Sequence, residues 1–498
     1  MSAPATRVPP AEGASAHDHP QSANPETQFR HDAAVKSADL VHREIIRKNM
    51  ESYDVGHMKG RSRFLDWEAA REACQAIKRE AINHLDKYLL QFEENVTARG
   101  GHVFWAANSE EARKYIADLA VKHAVKTVVK SKSMVTEEIE LSAALEKVGC
   151  TVWETDLGEY IVQLRHEPPY HIVTPAMHLN RTQIAELFRD KLCEPDLPED
   201  PQKLVAAARR KLRKAFFAAE MGISGANFLV ADVGAVAIST NEGNGRLTTS
   251  LPRIHVAVTG IEKVIPRLEN LATLWPVLAT SGTGQPVTTY GTLVGGARRA
   301  GEVDGPEEFH VVLVDNGRSS LLGHPEEREV LHCIRCGACL NICPVYRHIG
   351  GHTYGTTYPG PIGAVLTPHL RGRQFEHLSY ATSLCGACTT VCPVKIDLHQ
   401  QLFISRRHLA RLGHVAKGKR FSLKMAAIVL NRPWLYRIVG RIVRFVLRIS
   451  PRSLIYTRLN IWGRQRELPP PPRQSFRELV RKSKADRRMR NPDSTESS

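Results

Sequence analysis

The chain has 498 residues, 42% of them hydrophobic, which is material for two or three domains with real cores and too apolar a mix for a wholly disordered protein. Its net charge of +16 is uneven: residues 401–498 hold 24 Lys and Arg against 5 Asp and Glu, and the remainder, 44 against 47, is close to neutral. The basic excess therefore points one segment at an anionic partner, a membrane surface or an acidic protein face, and with no recognised binding module beside it no nucleic acid is expected.

Residues 1–40 read as a disordered extension, because the first ~30 are rich in Ala, Pro, Ser, His and Gln. They also lack the apolar run of a signal peptide. Residues 41–320 read as an α/β domain. Ala69 to Leu90 has the pattern of an amphipathic helix, and His102-Val-Phe-Trp-Ala106 is a strand candidate. Helical and strand patterns then alternate: Ser109 to His123 helical, Thr127 to Lys130 a strand, Glu137 to Val148 helical, Thr151 to Trp153 a strand, Tyr170 to Thr174 a strand, Arg181 to Leu192 and Leu204 to Met221 helical. Phe228 to Ile238 reads as one or two buried strands around Gly234. Arg253 to Val258 and Phe309 to Asp315 close the domain, with a Gly/Thr-rich loop between them from Ser281 through Gly296. The βαβα rhythm predicts a largely parallel sheet.

Three places in this domain could take an anion on backbone amides: Lys130-Ser-Lys132 directly after a strand, Glu242-Gly-Asn-Gly-Arg246, and the loop around Gly282 and Gly284. None is a complete G-x-G-x-x-G or P-loop, and ordinary turn glycines are the better reading of the last two. No Ser/His/Asp triad or paired-carboxylate pattern is readable, so no catalytic residue is assigned. Cys74, Cys150 and Cys193 are read as isolated buried thiols.

Residues 325–400 hold the other seven cysteines. Cys333-Ile-Arg-Cys336-Gly-Ala-Cys339-Leu-Asn-Ile-Cys343-Pro344 is the ferredoxin run C-x₂-C-x₂-C-x₃-C-P, whose fourth cysteine ligates the other cluster. Cys385-Gly-Ala-Cys388-Thr-Thr-Val-Cys392-Pro393 repeats it with Thr382 in place of the first cysteine. Crossed ligation assigns Cys333, Cys336, Cys339 and Cys392 to one [4Fe–4S] cluster and Cys343, Cys385 and Cys388 to a second, with a fourth position that is not cysteine. That second site is a three-iron cluster, a four-iron cluster with a non-cysteine ligand, or one completed by a partner subunit. Thr382 is a poor ligand, and His348, His352, His369 and His377 in the linker read first as structural histidines. Zinc is the rival reading of paired CxxC motifs, but one ion uses four thiolates and leaves three, and both Cys-Pro endings, unexplained. Clustered thiols at ligand spacing place the chain in a reducing compartment, hence the cytoplasm.

Residues 401–498 read as a basic helical extension. Arg437, Arg441, Arg444 and Arg448 make one helical stripe, with Ile438, Val439, Ile442, Val443, Phe445, Val446, Leu447 and Ile449 on the remaining face and Trp434 at the entry. Residues 433–450 thus suit a peripheral contact with an anionic membrane at its inner, cytoplasmic face. A helix packed on protein with its arginines solvated is the alternative. The arginines interrupt any apolar run long enough to span a bilayer.

The linker Tyr346-Arg-His-Ile-Gly-Gly-His-Thr-Tyr-Gly-Thr-Thr-Tyr-Pro-Gly-Pro-Ile-Gly-Ala-Val-Leu-Thr-Pro368, together with the seven-cysteine pattern, resembles the iron–sulfur subunit family of the bacterial lactate-utilisation complex, lactate utilization protein B. The resemblance runs from about residue 60 onward, with Trp462-Gly-Arg and Pro469 to Pro472 matching the family's C-terminal extension. It implies a transferase-like α/β domain, two clusters on the seven cysteines, and electron transfer in the oxidation of L-lactate to pyruvate with the complex's other subunits. A second expectation stands beside it: the α/β domain itself binds a small anion and feeds electrons to the clusters.

Overall fold

Alternating apolar strands and amphipathic helices between residues 102 and 314 build two sheets in this computed structural model. The strands are β1 (His102–Ala106), β2 (Thr127–Lys130), β3 (Thr151–Glu154), β4 (Met221–Ser224), β5 (Phe228–Val230), β6 (Ala235–Thr240), β7 (Ile254–Gly260), β8 (Val264–Ile265), β9 (Tyr290–Val294) and β10 (Glu308–Val314). The first sheet has six strands in the order β1-β10-β7-β4-β2-β3, and every pairing in it is parallel. Every residue of β4 and β7 is buried, as befits central strands covered by helices on both faces. The chain runs outward from β2 to β3 and then returns to place β4 on the other side of β2. Strand order reverses there, and the carboxyl ends of β2 and β4 flank the crevice that such a reversal opens.

The second sheet, β8-β5-β6-β9, is smaller and mostly antiparallel. Its β5–β6 hairpin turns at Gly234, which has φ 54° and lies so close to the helix Leu85–Thr97 that a Cβ would sit 2.6 Å from Asn95.

The structure describes residues 24–415, 417–451, 455–456 and 470–490, and the chain divides into two units, Met1–His408 and Leu409–Ser498. In the first unit the sheets and the cysteine-bearing segment share one hydrophobic core that runs from Ile46 and Met50 through Phe228 and Phe309 to Leu366 and Leu402. The expected boundary between residues 320 and 325 falls inside this unit. In the second, helices cover Lys417–Leu430, Pro433–Ile449 and Phe476–Arg490. No helix among the described residues is long and apolar enough to cross a membrane.

Several expectations are corrected. Residues 24–38 do not fit a disordered extension: Asn24 caps a helix over Pro25–Ala38, and its Phe29 packs edge-on to Tyr354 at 5.8 Å and against His377 at 5.4 Å. Residues 1–23 lie outside the described residues, as do Trp462 to Arg464 and Pro469. Tyr170 to Thr174 is not a strand. Its Tyr170 N–H donates to the Pro175 carbonyl and the His171 Nδ1 accepts from the Val173 and Thr174 amides, so local bonds curl the backbone away from any sheet. The helix expected over Glu137 to Val148 breaks at Glu140, in the left-handed region at φ 53°, and that over Ala69 to Leu90 breaks at His84. The expected Gly/Thr loop begins instead with a helix, Leu271–Thr283, stopped by the left-handed Gly284, and leads into β9.

Candidate functional site

Cys333, Cys336, Cys339 and Cys392 line one small cavity, walled otherwise by apolar groups such as Ile172, Ile334, Ile362 and Val394. All four are buried. Arg335, held at φ 61°, and Gly337, at φ 79°, fold the first three sulfurs inward. A Cβ on Gly337 would meet Val173 at 2.9 Å. The Arg335 amide donates to Cys333 Sγ at 3.4 Å and the Ile396 amide to Cys392 Sγ at 3.3 Å. Burial pushes the Cys392 thiol up to about 12, and that of Cys336 higher, so these sulfurs become thiolates at neutral pH only with a cationic metal core between them. The donor set, the dry walls and the N–H···S bonds fit an iron–sulfur cluster. A single tetrahedral zinc would hold its sulfurs about 3.8 Å apart. Among the described residues the one group of three ligand atoms within 4.8 Å of one another is Glu167, His178 and His352, so the cysteine sulfurs are spread too widely for one ion.

The second motif retraces the first. Leu384 takes the Arg335 conformation at φ 54°, Gly386 that of Gly337 at φ 80°, and short helices follow over Ala338–Ile342 and Ala387–Val391. The match extends to Thr382: its Oγ1 accepts from the Leu384 amide at 3.0 Å, as Cys333 Sγ accepts from Arg335. Cys385 raises the charge cost of Cys343, and both raise that of Cys388, as neighbouring thiols do. Cys385 differs from the others in being exposed, and hydrogen bonds from Ser383 and the Ala387 amide lower its thiol pKa. The linker histidines are engaged elsewhere: His352 Nε2 lies 2.8 Å from the Pro168 carbonyl, His369 lies 3.6 Å from Glu327, and His377 bonds the Gln374 carbonyl; His348 is exposed. Cys74 and Cys150 are buried as expected, but Cys193 is exposed, in a left-handed turn after the helix Arg181–Lys191.

A buried ionic network ties the first cysteine loop to the sheet. Arg318, fully buried, bonds Glu138 at 2.7 Å and Glu262 at 2.6 Å, and Arg335 Nη2 reaches Glu262 at 3.1 Å while its guanidinium lies over Tyr358. Lys78 donates to the carbonyls of Glu262 and Val264. Burial lowers Lys78 to about 7 and Lys263 to about 8, against the pull of Glu262 and Cys333. The neighbourhood of Cys333 is thus rich in cations, which suits thiolates.

A second, larger cavity of about 490 Å³ opens at the carboxyl ends of β2 and β4, where the strand order reverses. Lys132, Glu242 and Asn244 line it with Lys263, Arg335 and Cys336. Lys130 does not: it is buried and pairs with Glu137 at 2.8 Å and Glu154 at 2.7 Å. Gly282 lines the cavity, whereas Gly284 ends a helix. Lys263 was missed by motif reading. Its position just past β7 is the same strand-end signal that singled out Lys130 and Lys132.

Comparison with known proteins finds three matched regions along the chain. Residues 89–314 match the LUD domain, residues 329–396 a 4Fe-4S dicluster domain, and residues 413–485 the C-terminal region of lactate utilisation protein B. The chain is 47% identical over 419 residues to a lactate utilization protein B of Shouchella clausii, covering 83% of this chain and 88% of that one. It is 46% identical over 425 residues to that of Bacillus cytotoxicus, covering 84% and 89%. A crystal structure of a DUF162 family protein from Deinococcus radiodurans aligns over 46% of this chain and 98% of that one at 14% identity, with a TM-score of 0.26.

Proposed function

The chain belongs to the lactate utilization protein B family, and from that membership we propose how its cysteines and tail serve a lactate-utilisation complex. It is the iron–sulfur subunit of such a complex, working with the other subunits and carrying two iron–sulfur clusters in its dicluster domain. Its task in this reading is to receive the electrons released as L-lactate becomes pyruvate, in the cytoplasm. The clusters supply one-electron carriers. The chain's own residues hold them, set their potentials by burial and amide hydrogen bonds, and keep water from the first site.

The cavity walled by Cys333, Cys336, Cys339 and Cys392 is the observation that carries the ligand assignment. Cys343, Cys385 and Cys388 hold the second cluster. Its fourth corner falls at Thr382, because the second loop follows the first down to the side-chain hydrogen bond of that residue. A neutral hydroxyl binds iron far more weakly than a thiolate, so the iron at that corner is exchangeable. The basic helix Pro433–Ile449 gives the complex its contact with an anionic membrane.

Iron counting and electron paramagnetic resonance test the assignment. Cys336→Ser should lose a whole cluster, about four irons per chain. Mild oxidation of the unaltered protein should release one iron from the second site and give a three-iron signal, and Thr382→Cys should abolish that signal. Equal three-iron signals in both proteins would remove Thr382 from the fourth corner. An intact second cluster in Cys343→Ser would overturn crossed ligation.

A further inference from the structure

The cavity at the carboxyl ends of β2 and β4 has no role in carrying electrons between two clusters, yet it is built like a ligand site. Its volume, about 490 Å³, lies in the range of small-molecule pockets. It sits at the strand-order reversal, where open α/β sheets bind their ligands. One wall is apolar, with Leu157, Ile161 and Leu278. The rest carries polar groups left without partners inside the protein. Asn244, 6% exposed, has neither amide atom bonded, and Ser239 Oγ and Arg335 Nη1 are likewise buried and unbonded. Orphaned buried polar atoms are costly unless a ligand completes them.

The electrostatics select the ligand's sign. Lys263, 5% exposed, lines the cavity with no hydrogen-bond or ion-pair partner among the described residues, and Arg335 lies beside it with one nitrogen free. Of the nearby carboxylates, Glu262 is ionised but shared between Arg318 and Arg335, which leaves Arg335 Nη1 unbonded. Burial raises the Glu242 carboxyl to about 7, so about half of it is protonated at neutral pH, and pushes Glu159, which lies 3.2 Å from Lys132, in the same direction. Asp156 stays ionised, but it is held by Glu159 and by backbone amides.

The same cavity is lined by Cys336, and its two cations, Lys263 and Arg335, lie close enough to Cys333 to feel its charge. We propose that this cavity binds a small organic anion, bearing a carboxylate or a phosphate, seated on Lys263, Arg335 and Asn244, and that its occupancy is coupled to the redox state of the adjacent cluster. The inference rests on the assignment of Cys336 to that cluster. The coupling follows from shared cations. Reduction adds a negative charge near Lys263 and Arg335, and the ligand adds another. Each disfavours the other, so the anion lowers the cluster's midpoint potential and reduction weakens anion binding by the same factor.

Calorimetry on the anaerobically purified, cluster-loaded full chain tests binding, with L-lactate, pyruvate, AMP and inorganic phosphate as separate probes. An organic anion should bind, lactate or pyruvate marking a carboxylate site and AMP a phosphate site. Lys263→Met should weaken binding at least tenfold at unchanged iron content. Asn244→Leu, which removes no bond of the ionic network, should also weaken it and stands in if Lys263→Met fails to fold. Binding by none of the probes, by inorganic phosphate alone, or undiminished in both variants overturns the site. A redox titration with and without the bound probe reads the coupling; an unshifted midpoint potential with the cavity full overturns that half. Since calorimetry reads the cavity and iron content reads the cysteines, the site and the ligation can fail separately.

Discussion

Arg318 is the residue on which the join between sheet and cysteine loop turns. It is fully buried, and its two partners, Glu138 and Glu262, are buried with it. Burial alone would raise both carboxyls. Arg318 outweighs that for Glu138, holding it below its ordinary value, and Arg318 with Arg335 and Lys263 brings Glu262 down to about 2. A carboxyl whose folded pKa is depressed stabilises the fold at pH above its unfolded value, near 4.5, and loses that contribution as pH falls toward 2. Arg318→Met leaves the buried Glu138 without its cation and Glu262 with Arg335 alone as an ion-pair partner among the described residues, and should cost about 3–5 kcal/mol at neutral pH. Denaturant unfolding of the anaerobic protein at pH 7 and pH 4 measures it, and the gap between variant and parent should narrow at pH 4. An equal gap at both values would mean that the network is not what the arginine stabilises. None of this was legible in the sequence. Cysteine ligands announce themselves by spacing, whereas Arg318 and Glu262 are single charges whose charged partners lie 56 or more residues away, and Lys263 is a single charge with none among the described residues. Lys130 shows the converse: its strand-end position suggested an anion site, and two glutamates 7 and 24 residues on claim it.

At the scale of elements, what could be read was what local pattern decides. β2 spans the expected residues, Ser109–Lys122 and Arg181–Lys191 end within one residue of expectation, and the hairpin turns at Gly234 as its glycine suggested. Reading failed where side-chain and tertiary bonds override the local pattern. The Tyr170 segment looks like a strand by composition but is claimed by Tyr346, whose hydroxyl donates to the Tyr170 carbonyl, and by Gly351, packed so close that a Cβ would lie 1.7 Å from that carbonyl oxygen. The helix Pro25–Ala38 was hidden because its own composition is polar and its partners, Tyr354 and His377, lie some 300 residues on. Its hold is correspondingly slight. No residue in it is fully buried, and Phe29, with Ala33, supplies its apolar contact with the core. Phe29→Ala should cost about 1–2 kcal/mol. Hydrogen exchange across residues 25–38 should then accelerate while the parallel sheet stays protected. Unchanged exchange would show the helix is held by something other than that ring.

For the whole molecule, the charge asymmetry was visible before any fold, and the described part of the second unit gives it a shape. The helix Pro433–Ile449 buries none of its residues; Trp434, Ile438, Ile442, Phe445 and Ile449 are all exposed, and the arginines fall on another face. Isolated exposed apolar residues are ordinary, but a contiguous apolar face flanked by arginines fits the headgroup boundary of an anionic bilayer. The arginines are not equal candidates for lipid phosphate. Arg444 lies 3.6 Å from Glu478 and Arg448 donates to the Pro472 carbonyl, whereas Arg437 and Arg441 have no acidic partner among the described residues. Each basic residue near such a surface contributes about 1 kcal/mol. Replacing both by Glu removes two such contributions and adds repulsion, so affinity for phosphatidylserine-containing vesicles should fall more than tenfold. Cluster content should not change, since the cysteines belong to the other unit. Co-sedimentation with anionic and with neutral vesicles checks this: the unaltered protein should pellet with the anionic ones and release as salt rises, because the screening length shortens. Equal pelleting of Arg437→Glu/Arg441→Glu would leave the exposed face to another subunit of the complex, and the basic charge would then be read as its docking signal for an acidic protein surface.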